Sequence, residues 1–464
     1  MRAPVASLES FDSLAERFMN FCEDYTSYFQ AARHTLITKA RCYVSGLLMK
    51  AQRKNMERME EYVEDYDYQS LQQFVSDSPW DHEALIKRIG KDVDALVGGN
   101  DSMLIIDESG FAKKGKKSVG VARQWNGRLG KVDNSQVGVF AALSDGKGAG
   151  SLVDTRLYLP EEWTEDAKRC EQAKIPADKR ELKTKAQLAW EMIESAQSGG
   201  LRFGWVGLDG LYGNCPELLR KIDNAGLLFS ADVHCDQRLY TEDPEPYLPE
   251  RTSTVGRTPS RLVTSVQSER IDSFFKGSEI ARWQKVFVRE GTKGRIEVQA
   301  SAQRVWFWDG EEQEARQWWA VCVIDADTAE RKFFLSNAPA RTSLAELVRK
   351  HAGRYWIERI FQDAKTSVGM ADYQARGWIA WHHHMALVML ALLFLLKERR
   401  LHAKTLNLLS CQDIIALLDV YLPRTDRTKQ AVINSMNQRH AKRRATIESA
   451  KRRAADLKEL NLTK

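Results

Sequence analysis

The chain has no CxxC pair, no low-complexity stretch and no repeat at solenoid spacing. Its longest apolar run, Met385 to Leu396, falls short of the roughly 20 residues that cross a bilayer, so no membrane role is expected. The N-terminus, MRAPVASLESFDSLAERF, lacks the apolar core and small-residue cleavage site of a secretory signal. Cys22, Cys42, Cys170, Cys215, Cys235, Cys322 and Cys411 are scattered and odd in number. That pattern argues against zinc ribbons and disulfide frameworks, and for free thiols in a reducing cytoplasm.

What is present is a chain of 464 residues, 43% hydrophobic and 28% charged, enough for two or three globular domains. The net charge of +6 is unevenly placed: residues 424–464 carry 12 Lys and Arg against 4 Asp and Glu. A basic tail on a slightly acidic body suits contact with a polyanion, and a solvated helix is the bland alternative.

Residues 1–98 read as helical, with apolar residues at helical intervals over Phe11 to Phe29, Ala40 to Glu64 and Glu83 to Val97. A turn and cap signal at Asp77–Trp80 precedes the last of these. From residue 99 to 235 short apolar strands (Met103–Ile106, Gln136–Leu143, Ser151–Leu159, Phe203–Leu208, Leu227–Val233) alternate with helical stretches such as Glu181–Gln197 and Glu217–Ala225. This alternation predicts an α/β core with a mixed sheet. Residues 236–338 read as a β-rich insertion and 339–400 as a return of the core, with long helices over Ser343–Lys365 and Trp378–Glu398. Residues 401–464 form the basic C-terminal region.

Phosphodiester chemistry with two metal ions needs several converging carboxylates, and magnesium prefers oxygen ligands. Asp107 follows four apolar residues and Asp209 closes Trp205–Leu208 before a turn framed by Gly210 and Gly213. Either is also an ordinary turn-forming aspartate, and Asp232, at the end of the next strand, rivals Asp209 on placement. The glycines favour Asp209, because they let a phosphate backbone approach closely. At about 100° per residue, Arg354, Glu358, Phe361 and Lys365 share one helix face. A carboxylate between two cations suits a metal–phosphate site, whereas surface ion pairs are the commoner use of such a pattern.

Three further groups stand out. Lys113, Lys114, Lys116 and Lys117 form a basic loop suited to phosphate contact or to simple solvation. Trp306 and Trp308 alternate on a strand, fit for core packing or for holding a base. His382–His384 diverge by about 100° each on a helix and are read as polar positions beside the apolar run rather than as metal ligands.

Asp107-Glu-Ser-Gly-Phe111 with Lys113–Gln124 and Asn134–Val139, then Leu157–Pro160 with Trp163, Thr184-Lys185, Leu208–Gly213, Arg354–Lys365 and Gly369–Trp378 closely resemble, in order, the conserved blocks of insertion sequence 701 transposases. The similarity spans roughly residues 30 to 400. The wider insertion sequence 4 superfamily carries a Tyr-(2)-Arg-(3)-Glu-(6)-Lys signature that Arg354, Glu358 and Lys365 match, with His351 standing at the tyrosine position. Glu108 and Gly210 are smaller departures.

The resemblance implies a ribonuclease H-like fold, with the β-rich insertion between the second aspartate and the glutamate. Asp107, Asp209 and Glu358 would bind two Mg2+ ions, with Mn2+ as a substitute, and Arg354 and Lys365 would act on phosphates. The implied function is cut-and-paste DNA transposition by a cytoplasmic, nucleoid-associated bacterial enzyme, a homodimer on its terminal inverted repeats and target DNA. Residues 1–98 are expected to bind ends or dimerise, and Lys113, Lys114, Lys116, Lys117, Trp306, Trp308, Arg439, Lys442, Arg443, Arg444, Lys451, Arg452 and Arg453 to contact DNA. The rivals are a nuclease of the same fold that cuts without joining, and a non-catalytic DNA-binding descendant of a transposase.

Overall fold

The structure is a computed structural model. It describes residues 11–462 apart from 65–66, 252–257, 278–281, 292–293, 326–327, 407 and 426–427. The N-terminal part is helical: α1 (Leu14–Glu23), α2 (Ile37–Leu47), α3 (Met56–Tyr62), α4 (Tyr68–Ser76) and α5 (His82–Val97). The helical pattern expected over residues 40–64 is broken between α2 and α3, where the Asn55 side chain starts a new helix by accepting from the Arg58 N–H. Asp81, not the preceding turn, caps α5, accepting from the Glu83 and Ala84 N–H groups.

A ten-stranded mixed sheet follows. Its strands in chain order are β1 (Gly99–Ala112), β2 (Ala122–Asn126), β3 (Lys131–Ser144), β4 (Gly150–Leu157), β5 (Phe203–Leu208), β6 (Leu228–Val233), β7 (Gln284–Gly291), β8 (Gly294–Phe307), β9 (Arg316–Asp325) and β10 (Arg331–Ser336). The spatial order is β7-β8-β9-β10-β6-β5-β1-β3-β2, with β4 on β3. Among the described residues only β1–β5 and β5–β6 pair in parallel. The strands expected in the insertion do not form a separate layer, because β10 pairs antiparallel with β6 and extends the same sheet. The two short strand signals at 295–300 and 304–308 are one continuous strand, β8.

Helix α6 (Lys185–Ser198) starts at a capping box of Thr184 and Gln187, and α7 (Pro216–Asn224) links β5 to β6. The helical stretch over 343–365 is two helices, α8 (Leu344–Gly353) and α9 (Tyr355–Ser367), joined at Arg354, which keeps helical dihedrals. Buried Lys54 donates to the carbonyls of Leu47 (2.7 Å) and Ser367 and so fastens the end of α9 to the end of α2. Helix α10 (Trp378–Leu401) is long and apolar enough to span a membrane, more so than the run read from sequence, yet 94% of its apolar window is buried inside the protein. Phe18 and Phe21 pack on its Phe394, and Arg17 grips its Glu398 at 2.9 and 2.7 Å.

His382, His383 and His384 are buried on α10, so they lie in the core rather than at polar surface positions. His383 stacks on Trp80 at 3.7 Å and stands between the Val75 and Trp80 carbonyls. The Tyr43 hydroxyl lies 2.9 Å from His384 Nδ1. Burial pushes His383 and His384 each down to about 3, so they join the helical region to the core as neutral rings. The chain ends in α11 (Cys411–Tyr421) and the exposed α12 (Lys429–Leu462).

Candidate active site

Asp107 does not end a strand as its sequence context suggested. Strand β1 runs five residues further because β3 keeps pairing with it as far as Ala112. What ends at Asp107 is the parallel partner: Ile106 pairs with Leu208, the last residue of β5. Leu208 in turn pairs with Ala231 of β6. Asp107, Asp209 and Asp232 are therefore the next residues on three neighbouring strands, whose spacing is about 4.8 Å. The register that aligns three apolar strands places three carboxylates in a row.

Each aspartate is held differently. Asp107 is half-buried, and its side chain accepts a hydrogen bond from the Glu108 N–H at 2.7 Å. Burial first, then the charge of Asp209, raises it to about 7. Asp209 caps the single-turn helix Gly210–Gly213, accepting from Leu211 N–H at 3.0 Å and Tyr212 N–H at 3.3 Å, and burial raises its pKa as well. That turn packs so tightly on β6 that a Cβ at Gly213 would collide with the carbonyl oxygen of Asp232. Asp232 is ion-paired with Arg354 at 3.0 Å and faces His351 Nε2 at 3.2 Å. Burial drives His351 down to about 4, although Asp232 opposes the shift, and its ring stacks on Phe334 at 3.9 Å. It is a neutral packing residue that helps orient Asp232.

Arg354 is the hub of this row. Burial opposes its charge, but Asp232, Asp107, Asp209 and Glu358 together raise its pKa. Glu358 stands beyond it, 3.9 Å from Nη1, with its side chain 57% exposed. Thus Asp107 and Asp209 come together while Glu358 faces solvent, one guanidinium away. Among the described residues no three His, Cys, Asp or Glu side chains form a metal-holding group. Lys365, two turns along α9, is largely buried. Burial and then the charge of Arg128 lower its pKa, while Asp107 acts the other way. Tyr212 was not singled out in the sequence as a site residue. Its hydroxyl is buried beside Glu108, Asp209 and Asp107, with no hydrogen-bonding partner among the described residues. Glu108 points away from Asp107 along the strand and pairs with Lys185 at 2.7 Å. The cavity of about 870 Å3 between α5, β4 and α6 is lined by none of these groups.

The family described as DDE superfamily endonuclease matches residues 25–295. The chain belongs to that family. The matched span takes in Asp107 and Asp209 and stops short of Glu358. Membership implies dependence on a divalent metal in general. Over 196 residues the chain is 32% identical to a probable transposase for insertion sequence element IS701 from Microchaete diplosiphon, covering 42% of this chain and 47% of that protein. The chain thus spans about half the length of that relative. A cryo-EM structure of a piggyBac transposase synaptic complex with hairpin DNA is similar at a TM-score of 0.39 and 10% identity, over 92% of this chain and 82% of that one.

For this DDE-family chain the two half-buried aspartates fit a hard divalent cation. Magnesium is commonly held by one or two carboxylates with water and phosphate completing its shell. Two carboxyls raised by burial, Asp107 also by the charge of Asp209 and Asp209 by that of Asp232, beside an unsatisfied hydroxyl, are the environment such a cation relieves.

The remaining expected contacts divide. Lys114, Lys116 and Lys117 are exposed. Lys113 is turned inward, 3.5 Å above the Tyr373 ring, and burial lowers it to about 8. Half-buried and over an aromatic face, it is less open to solvent than its three neighbours. Trp308 donates to the Glu312 carbonyl at 2.8 Å, which closes the β8–β9 turn, and Trp306 is half-buried. Arg443, Arg444, Lys451, Arg452 and Arg453 are exposed on α12, while the side chains of Arg439 and Lys442 lie outside the described residues.

The raised Asp107 has a testable sign. Its folded pKa of about 7 exceeds the ordinary 3.8, so the stability it contributes is complete below about pH 4 and lost as pH rises through 7. Asp107→Asn is expected to raise the metal-free melting temperature at pH 8, with the gain shrinking to nothing near pH 4. Wild-type stabilisation by Mg2+ or Mn2+ is expected to be larger at pH 8 than at pH 6, because a proton competes with the metal. Equal gains at all pH values would contradict the assignment.

Proposed function

We propose that this protein is a DDE-type DNA transposase with a ribonuclease H-like core, cutting DNA at transposon ends and joining those ends to target DNA. The observation that carries the reading is the register-matched pair Asp107 and Asp209, two half-buried carboxylates facing one cationic hub. Asp107, Asp209 and, after a movement of its exposed side chain, Glu358 would hold two Mg2+ ions, for which Mn2+ substitutes. When bound, the metal activates the attacking oxygen and neutralises charge developing on the phosphate.

The chain's own residues supply the rest. Arg354 and Lys365 orient phosphate oxygens, Arg354 by its planar fork of donors and Lys365 as a point charge. Tyr212 offers a hydroxyl to the attacking oxygen. The same positioning serves water in the cleavage step and a DNA 3′-hydroxyl in the joining step. Double-stranded DNA is the partner, and two transposon ends require two active sites, hence a homodimer on DNA.

The test uses DNA flanking the gene, from which inverted repeats are identified, placed on a plasmid with purified protein and Mg2+. Metal-dependent nicking followed by joining of pre-cut ends to a second DNA is the expected result. Cleavage without joining would reduce the reading to a nuclease, and no cleavage with or without metal would overturn it. Deleting residues 424–464 is expected to flatten the salt dependence of DNA binding by several units of log–log slope, at about 0.9 per phosphate contact. Nicking at saturating DNA should survive, because the aspartates lie elsewhere. An unchanged slope, measured by filter binding from low to moderate salt, would assign α12 to solvent or to protein contacts.

A further inference from the structure

The β2–β3 hairpin has a surface that the site described above does not account for. Trp125, Leu129 and Val132 are exposed by 54%, 41% and 49%, three large apolar side chains at one hairpin tip. Trp125 and Val132 are cross-strand partners and Arg123 sits two residues before Trp125, so all three share one face of the ribbon. Exposed apolar clusters of this kind mark contact sites more often than isolated residues do.

The hairpin is also rigid and close to the aspartates. Its Asn126 is buried, donates to Ser135 Oγ at 2.9 Å and packs so closely on Gly110 that a Cβ there would collide with it. Gly110 lies three residues beyond Asp107 on β1, roughly 10 Å along the strand. Gln124 Nε2 adds a hydrogen bond of 2.7 Å to the Ser135 carbonyl. The aromatic ring is therefore presented from a fixed ribbon.

Charge names the partner. Residues 113–131 contain seven Lys and Arg and no Asp or Glu. Arg128 in the turn is exposed, yet its charge reaches Lys365 on α9 and lowers the pKa of that lysine. Two cations converging from the hairpin and the active-site helix call for an anion between them. Lys131 is only partly committed, to Asp133 at 3.3 Å.

We infer that the β2–β3 hairpin is a DNA-gripping finger, in which Trp125 stacks on an unpaired base close to the cleaved phosphate while Arg123 and Arg128 hold the flanking phosphates. This rests on the reading of DNA as the substrate. Stacking on an aromatic face tolerates any base, so the finger recognises DNA whose pairing is locally opened rather than a sequence. The stacked base and the phosphate shared by Arg128 and Lys365 would together fix the position of the strand relative to Asp107.

The test is fluorescence anisotropy of full-length protein with two labelled probes, a 25-base-pair duplex and the same duplex ending in a three-nucleotide unpaired fork. Wild type is expected to prefer the fork by roughly tenfold, Trp125→Ala to lose that preference, and Trp125→Phe to retain most of it. Arg128→Ala should weaken both probes alike and reduce the salt slope by about 1. Because Trp125 is exposed, its variants should melt with wild type. No fork preference in wild type, or the same preference in Trp125→Ala, overturns the inference. So does a change in oligomeric state by light scattering with DNA binding unaltered, which would make the tip a protein contact. If wild-type protein nicks plasmid with metal while the fork ratio is insensitive to Trp125, the finger alone fails. If wild type binds neither probe, the DNA reading fails with it.

Discussion

Asp209→Asn is expected to lower metal-dependent cleavage by on the order of a thousandfold or more while leaving DNA binding and folding intact. The substitution is clean for a structural reason. Asp209 Oδ1 accepts the Leu211 and Tyr212 N–H groups, and an asparagine oxygen accepts them equally well. The amide keeps the cap and the shape but is a poor ligand for a hard cation. Asp232→Asn is the informative companion, because Asp232 occupies the same register position one strand over but is already engaged by Arg354 and His351. It is expected to slow cleavage far less. Plasmid nicking at saturating protein measures both, and a larger loss for Asp232→Asn than for Asp209→Asn would exchange their roles.

Arg354→Ala has the largest expected effect on stability. The guanidinium interacts with Asp107, Asp209 and Asp232 together, and its side chain is 21% exposed. Removing one partner from such a buried arrangement typically costs about 3 kcal/mol or more, because the carboxylates are left uncompensated. The loss should shrink in the double variant Arg354→Ala/Asp232→Asn, since that removes one orphaned charge, giving a non-additive cycle. Added Mg2+ should raise the melting temperature of Arg354→Ala more than that of wild type, as a bound cation takes over the neutralisation. Additive losses, with no extra response to metal, would show that Arg354 stabilises by packing alone.

The same arrangement explains why Glu358 could be named in the sequence but not placed. Helical periodicity set Arg354, Glu358 and Lys365 on one face. Periodicity carries no information about how that face meets the sheet. Arg354 instead spans from Asp232 to Glu358, leaving Glu358 outside the pair of aspartates. A carboxylate near an unrelieved pair of anions is repelled, so a solvent-facing Glu358 is the electrostatically reasonable position in a metal-free protein. The hairpin tip was missed for another reason. Trp125 has no sequence property that distinguishes it from the buried Trp163 or Trp318, and only exposure separates them.

By itself the sequence determined the α/β alternation, most strand and helix positions, and the candidacy of Asp107 and Asp209. These follow from local signals: apolar runs of strand length, helical spacing, capping residues and glycine-framed turns. Tertiary structure alone decided the matters that depend on register and packing. It put three aspartates in a row across β1, β5 and β6, joined the strands from Gln284 to Ser336 to the same sheet, and buried the histidines of α10. It also turned Lys113 inward and left Trp125 in solvent. Register is a relation between segments distant in the chain, and burial is a property of what packs against a residue. Neither is written in the residues' own order, because a side chain of one chemical type is stable in either environment once its partners are supplied.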